Sequence, residues 1–239
     1  MRVKVKRIMP TASSRIWLAL VPAMVVPFAA SLFYFVILSS HDFAIALYAA
    51  AKAFIIVWPL ISVRLILRTH LPKVKLALKK HRQAIPLGVF LGIAIVVLMF
   101  GLMRTPLGEV VRNGSDSIGR KTQELGVLKH YWLFALFLSV IHSLIEEYYW
   151  RWFVFGRLKN VVNTPWAHAI AGVSFAAHHI VIATQFFPVL WGLLFGGLAG
   201  AGGVIWSVMY DKQKTLVGAW LCHLIVDLGI MVIGHSILY

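Results

Sequence analysis

Residues 160–210 read NVVNTPWAHAIAGVSFAAHHIVIATQFFPVLWGLLFGGLAGAGGVIWSVMY and contain no Asp, Glu, Lys or Arg. One transmembrane helix needs about 20 apolar residues, so this run is long enough for two crossings. Two prolines, Pro165 and Pro188, divide it, and proline is tolerated in the first turn of a helix. We therefore predict two transmembrane helices, at 165–183 and 188–209.

The rest of the chain is equally apolar. Of its 239 residues, 60% are hydrophobic and 13% are charged, and the mean hydropathy is +0.84. A soluble domain of this size needs much more polar surface, so a soluble enzyme and a disordered chain are both excluded. Five further segments are predicted to span the membrane: 16–38, 43–67, 87–103, 130–153 and 215–237. The prediction is an all-α polytopic membrane helix bundle of about seven transmembrane helices, within a range of about six to eight.

The chain is predicted to have two parts. Residues 1–129 would hold the first three helices and a cytoplasmic basic segment at 68–86, and residues 130–239 would hold the last four helices as a catalytic core. Small residues repeat at four-residue spacing in the long uncharged run, which is typical of a packing face between membrane helices: Gly192, Gly196 and Gly200.

Basic residues predict the orientation in the membrane. The net charge is +15 with 23 Lys and Arg, and most of these lie between apolar segments. If the N-terminus is cytoplasmic, 15 of them fall in cytoplasmic segments and 5 in the opposite ones, as the positive-inside rule requires. We therefore predict a multi-pass protein of a prokaryotic inner or plasma membrane with its N-terminus in the cytoplasm. Its surroundings would be the lipid bilayer, with no nucleic acid as a partner.

Two adjacent carboxylates lie in the fourth predicted helix. An ionisable side chain at membrane depth costs at least a few kcal/mol, so pairing, transport or catalysis must account for it. Glu147 and Arg151 are four residues apart and would pair on one helix face. Glu146 lies about 100° away beside His142 and would stay available as a general base. The alternative is a helix end at which all of these groups meet water.

Histidine supplies polar groups to two later helices. In the fifth, Phe175 and His179 share a face while His178 points elsewhere, and whether His178 contributes is open. In the seventh, His223 and Asp227 are four residues apart, so the carboxylate could orient the imidazole. The pair could equally supply two metal ligands, two hydrogen-bond donors if the acid is protonated, or an isolated structural contact.

These groups come from three helices and can converge. Polar side chains gathered inside an apolar bundle are the default hypothesis for a functional site. The predicted catalytic residues are Glu146, His179, His223 and Asp227, and the predicted supporting residues are Glu147, Arg151, His142 and Phe175.

Three patterns resemble, in order, the motifs of the CPBP family: EExxxR at 146–151, FxxxH at 175–179 and HxxxD at 223–227. This family comprises the CAAX-processing and bacteriocin-processing intramembrane endopeptidases, which are relatives of the type II prenyl-protein endopeptidase. The resemblance covers about residues 130–237. It implies a helix bundle with a cytosol-facing cavity and cleavage of a membrane-anchored protein or peptide that is lipidated and CAAX-like or carries a leader.

The resemblance also implies a role for each residue. Glu146 would activate water with help from His179, and His223 and Asp227 would stabilise the oxyanion, while the second Glu and the Arg of EExxxR would hold the helix. Many eukaryotic members have Asn at the position of Asp227. Because an ionised carboxylate would repel an oxyanion, Asp227 is expected either to be protonated or to orient His223.

The sequence leaves the cofactor open. Glu146, His179, His223 and Asp227 could ligate a divalent metal such as zinc, but the HExxH pattern is absent and a metal-free glutamate mechanism is equally compatible. Two other functions are alternatives: a non-catalytic membrane scaffold derived from the family, and a small transporter or proton-coupled channel.

Overall fold

The fold is a bundle of long helices. The structure, a computed structural model, describes residues 12–37, 43–71, 77–124 and 126–239. Within these residues there is no β-strand, and seven helices are long and apolar enough to cross a membrane. In chain order, with the two short helices α4 and α5 included, the helices are α1 (Ala12–Ile37), α2 (Phe43–Ile61, extended by a π-helical turn at Ser62–Ile66), α3 (Leu78–Leu102), α4 (Pro106–Asn113), α5 (Ser115–Glu124), α6 (Leu128–Leu158), α7 (Thr164–Ala183), α8 (Val189–Gln213) and α9 (Val217–Leu238). The predicted all-α bundle of about seven membrane helices is confirmed.

Several predicted helix boundaries, among them the start of α3 and the end of α8, are wrong for one physical reason. Helix α3 begins nine residues before the predicted start at 87 and contains Pro86. The segment between the third and fourth predicted helices contains α4 and α5. Helix α8 runs past the predicted end at 209 and stops at Lys214, which adopts the left-handed conformation with φ of 54°. Charged residues mark where a helix leaves the apolar layer, and a helix can continue into water beyond that point.

Six of the basic residues counted for the orientation lie outside the described ranges. These residues are Arg2, Lys4, Lys6, Arg7, Lys73 and Lys75, so the basic segment at 68–86 is described only in part.

Helices α7 and α8 pack with their backbones in close contact. A Cβ added to Gly196 would lie 2.6 Å from the Cα of Ile180, and one added to Gly200 would lie 2.6 Å from the Cβ of Ala176. Only a residue without a side chain fits at these positions. The glycine repeat therefore forms the face of α8 that packs on α7, in agreement with its predicted packing role.

Helix α6 departs from regular α-helical geometry on both sides of its glutamates. An α-helical turn at Ser143–Glu147 lies between π-helical segments at Phe137–His142 and Tyr148–Phe155. Such wide turns are rare and often occur at functional sites. The second π-helical segment carries much of the buried aromatic core, including Tyr149 and Trp150.

Replacing Gly196 by alanine is expected to destabilise the bundle by about 1–3 kcal/mol, because the new methyl group overlaps the α7 backbone. Gly197→Ala is the matched control, since a Cβ at Gly197 has no neighbour within 4 Å. Thermal unfolding of both variants in the same detergent measures the difference. Equal melting temperatures for the two variants would contradict the packing described here.

Candidate active site

Glu146 lies at the point where three helices meet. Its residue is 6% exposed, so the carboxylate is inside the bundle and not at a helix end in water. Its Oε1 is 3.4 Å from Nε2 of His142 on the same helix and 3.7 Å from Nε2 of His178 on α7. Its Oε2 is 3.7 Å from Nε2 of His223 on α9. The predicted general base is therefore surrounded by imidazole nitrogens.

Glu147 has a different environment although it is the next residue. It is fully buried, and its Oε2 lies 3.1 Å from Nε of Arg151, as the four-residue spacing predicted. Its Oε1 accepts a hydrogen bond of 2.9 Å from Nδ1 of His223. Glu147 thus joins α6 to α9, a link between helices that the spacing along one helix could not reveal.

Arg151 is fully buried and contacts three helices. Its guanidinium carbon lies 4.8 Å from the ring centre of Phe175 on α7 and 5.2 Å from that of Trp206 on α8. Cations are attracted to the faces of aromatic rings, most strongly where water is excluded. Arg151 therefore pairs with Glu147 on its own helix and contacts the neighbouring helices α7 and α8 through their aromatic rings.

His223 is oriented by its neighbours on every side. Its ring stacks on Trp206 with centroids 3.9 Å apart. Because Nδ1 donates to Glu147, Nε2 faces Glu146 at 3.7 Å and Oδ1 of Asp227 at 3.5 Å. Three of the four predicted catalytic residues thus form one contiguous group around this imidazole.

His179 completes the predicted set. Its Nδ1 donates a 2.8 Å hydrogen bond to the backbone oxygen of Phe175, which leaves a lone pair on Nε2. One ligand atom of His179 lies within 4.8 Å of a Glu146 oxygen and of a His178 nitrogen. The structure therefore brings Glu146, His179, His223 and Asp227 into one region of the bundle.

His178 belongs to the site, which the sequence left open. Its ring lies parallel to Trp150, with an angle of 2° between the planes, and its Nε2 faces Glu146. Two adjacent residues of one helix point in different directions, yet both histidines reach the same carboxylate. The signal in the sequence was the HisHis pair itself, in a run with no charged residue.

The three residues that could hold a metal differ from the four candidates that the sequence suggested. The ligand atoms of Glu146, His178 and His179 all lie within 4.8 Å of one another. Two nitrogens and one carboxylate oxygen are a donor set that suits zinc, although bound ligand atoms would approach to about 3.3 Å of each other. The donor chemistry therefore fits zinc after a modest contraction, with His178 in place of His223 and Asp227.

A cavity adjoins Glu146. It is bounded by the last turns of α1 and α7 and by the middle of α2 and of α6; its lining residues are Pro27, Ala30, Ser31, Tyr34, Phe35, Ala51, Lys52, Ile55, Glu146, Trp150, His178 and Ile182. Most of the lining is apolar. Lys52 donates from Nζ to Nδ1 of His142 at 3.4 Å, so this cation is linked to Glu146 through one imidazole. In the sequence, Lys52 is a single charge inside the predicted span 43–67.

Arg151→Met is expected to destabilise the protein by about 3–5 kcal/mol, because Glu147 would be left as a buried charge without its partner. Arg112→Met on the exposed face of α4 is the control and should change stability by less than about 0.5 kcal/mol. Unfolding in a denaturant series measures both. A variant at position 151 as stable as this control would show that the pair is not needed.

The comparisons with known proteins concern the part of the chain that holds this site. Residues 128–229 match the family model described as Type II CAAX prenyl endopeptidase Rce1-like. The chain is 27% identical over 168 residues to the membrane-embedded CAAX protease MroQ of Staphylococcus aureus (strain USA300). The alignment covers 67% of this chain and 62% of MroQ, so the chain spans less than two thirds of that relative. No solved structure matches. The segment 128–229 contains all the predicted catalytic residues, so the similarity to the Rce1-like CAAX endopeptidase family falls on the part of the chain that carries the three motifs.

Proposed function

We propose that this protein is an intramembrane endopeptidase that hydrolyses a peptide bond in a membrane-associated protein. The substrate would be lipidated and CAAX-like or would carry a leader. The observation that carries the proposal is the position of Glu146, a buried carboxylate faced by imidazoles from three helices at the end of a cavity. Amide hydrolysis needs an activated water and a stabilised tetrahedral anion, and both effects are stronger where bulk water is excluded.

Glu146 acts as the general base in this proposal. It accepts a proton from a water in the adjoining cavity, and the hydroxide attacks the carbonyl carbon of the substrate. The free lone pair on Nε2 of His179 accepts the second hydrogen bond of the same water. When the tetrahedral intermediate collapses, the proton passes from Glu146 to the leaving amine.

His223 stabilises the oxyanion. With a proton on each nitrogen it donates Nδ1–H to Glu147 and directs Nε2–H towards the developing negative charge. Asp227 lies 3.5 Å from the same Nε2, which supports the role of orienting His223 over direct donation to the oxyanion. If the protein binds zinc, Glu146, His178 and His179 would hold it and the metal would supply the activated water.

The scaffold and transporter alternatives are less well supported. A scaffold derived from the family would be expected to carry a broken motif, whereas the side chains of all three motifs lie around one carboxylate here. A transporter would be expected to have polar side chains along the first three membrane helices, where Lys52 and Arg64 are the charged residues inside the predicted spans.

Glu146→Gln is expected to lower turnover by about 100- to 10,000-fold, because the amide cannot accept the proton of the attacking water. The assay uses the purified protein in liposomes and an internally quenched peptide with an S-farnesylated cysteine near its C-terminus, with mass spectrometry to locate the cut. Glu109→Gln, an exposed acid on α4, should leave turnover unchanged. Equal activity of the two variants would reject the mechanism.

The orientation in the membrane is a separate proposal. The basic residues favour a cytoplasmic N-terminus, and with an odd number of crossings the C-terminus would then lie on the opposite side. In that orientation the ends of α1 and α7, whose last turns line part of the cavity beside Glu146, would face away from the cytoplasm. A cytosol-facing cavity, as the family resemblance implies, would require the inverted orientation.

Reporters fused to the C-terminus distinguish the two orientations. We expect alkaline phosphatase, which is active only outside the cytoplasm, to be active there and a fluorescent protein that folds only in the cytoplasm to be dark, because 15 of 20 loop cations lie on the other side. The opposite pattern would invert the topology and place the cavity towards the cytosol.

A further inference from the structure

Basic side chains cluster where α6 and α8 end and α7 begins. Two short segments, 157–159 and 210–214, supply four cations, which are Arg157, Lys159, Lys212 and Lys214. Asp211 is the only acid in these two segments, so three positive charges are left over. This cluster is separate from the group around Glu146, and the mechanism above does not use it.

Asp211 joins the ends of the two helices. Its Oδ1 accepts a hydrogen bond from Nζ of Lys159 on the α6 side and another, of 2.7 Å, from Nζ of Lys214 directly after α8. An ammonium has three N–H donors, and each lysine gives one of them to this oxygen. The carboxylate therefore fixes both lysines in place while leaving donors on each for a further acceptor.

Arg157 has no carboxylate beside it. Among the described residues it forms no hydrogen bond and no ion pair, and its guanidinium carbon lies 5.8 Å from the ring centre of Trp152. Its side chain is half-buried, and its Nε is fully enclosed without a hydrogen-bond partner. Burying a polar group without a partner is unfavourable, and Arg151 on the same helix avoids this by pairing with Glu147. Arg157 therefore has donors for an acceptor from outside the chain.

Tyr210 connects Arg157 to the lysines. Its side chain interacts electrostatically with both Arg157 and Lys214, and its ring packs against Phe155 with centroids 6.3 Å apart. Nζ of Lys159 lies 5.6 Å from the centre of the same Phe155 ring. One guanidinium, two ammonium groups and one phenol thus lie in a single small region at the end of α6.

We propose that Arg157, Lys159 and Lys214 bind a phosphate ester at this end of the bundle. The ester is the headgroup of an anionic phospholipid or a soluble organic phosphate, since both present the same charged oxygens. A guanidinium binds phosphate oxygens through two parallel hydrogen bonds, and ammonium groups add positive charge. Basic pockets between membrane helices at headgroup level bind anionic lipids in this way.

The position of the cluster suits a lipid headgroup. Arg157 and Lys159 directly follow the last apolar turns of α6, and Lys214 directly follows α8. Trp166 in the first turn of α7 is 62% exposed, and tryptophan is enriched where the apolar layer meets the headgroups. A lipid phosphate would therefore lie at the same depth as these cations.

A second explanation for the cations makes a different prediction. The dipole of a helix favours positive charge near its C-terminus, and Lys159, Lys212 and Lys214 lie at two such ends. This effect needs no ligand. Removing a cation would then lower stability by the same amount with every lipid, whereas loss of a phosphate site would change only the response to phosphate esters.

The test measures lipid binding by the full-length protein in maltoside detergent. Phosphatidylglycerol or phosphatidylcholine with the same acyl chains is added, native mass spectrometry counts the bound lipids, and a thermal melt records the stability. We expect phosphatidylglycerol to bind preferentially and to raise Tm by about 5 °C or more, as a saturating ligand does for a protein of this size. Arg157→Gln should weaken this binding by about tenfold or more, because charge-assisted hydrogen bonds are lost.

Two further variants make the result specific. Lys159→Gln should weaken binding by a similar factor, which keeps the test decisive if the change at Arg157 prevents folding. Arg64→Gln is the matched control, because it removes an exposed cation of α2 that is not part of the cluster, and it should bind phosphatidylglycerol as the wild-type protein does.

Glycerol 3-phosphate identifies the source of the phosphate. Displacement of phosphatidylglycerol by millimolar glycerol 3-phosphate would assign the site to a soluble ester, and retention of the lipid would assign it to the headgroup. The proposal is overturned if the wild-type protein shows no preference for phosphatidylglycerol and no thermal shift with glycerol 3-phosphate. It is also overturned if all three variants lose binding equally, since that result reflects only the overall positive charge.

Discussion

The buried ion pair between Arg151 and Glu147 is the contact on which the rest of the site depends. Both side chains are fully enclosed, and neither could be so placed without the other, because an isolated charge inside an apolar bundle is strongly unfavourable. Glu147 then has one oxygen left for His223, and Arg151 has its face left for Phe175 and Trp206. One pair thus determines how α6 contacts α7, α8 and α9.

The same ion pair explains how two adjacent carboxylates, Glu146 and Glu147, can have different roles. Glu147 is paired with the Arg151 cation at 3.1 Å and has a structural role. Glu146 has no such cation among its described contacts within 4 Å and is faced instead by imidazole nitrogens at 3.4 to 3.7 Å. A rotation of one residue along a helix, about 100°, is enough to place these two acids in different environments.

Much of this arrangement could be predicted from the sequence, because part of it is local. Contacts between residues four apart on one helix follow from helical geometry, and the pairs His142–Glu146, Glu147–Arg151 and His223–Asp227 all form as expected. The number of membrane helices follows in the same way from the lengths of apolar runs.

The rest depends on packing between helices that are far apart in the chain. The bond from His223 to Glu147 joins residues 76 positions apart, and the contact from Lys52 to His142 joins residues 90 apart. No periodicity within one helix carries that information. The inclusion of His178 could not be predicted for the same reason, since its contact with Glu146 depends on how α7 lies against α6. The extent of α3 could not be predicted, because a proline such as Pro86 commonly marks a helix boundary, whereas here the helix continues through it into a polar N-terminal end.

The intimate glycine contact between α7 and α8 has a mechanical consequence. Two helices whose backbones are in contact cannot slide or tilt independently. Under lateral pressure in the bilayer, α7 and α8 therefore move together as one rigid unit. His178 and His179 belong to α7 and so move with this unit, while Glu146 belongs to α6. We therefore expect a thicker or more crowded lipid layer to change first the distance between the two α7 histidines and Glu146.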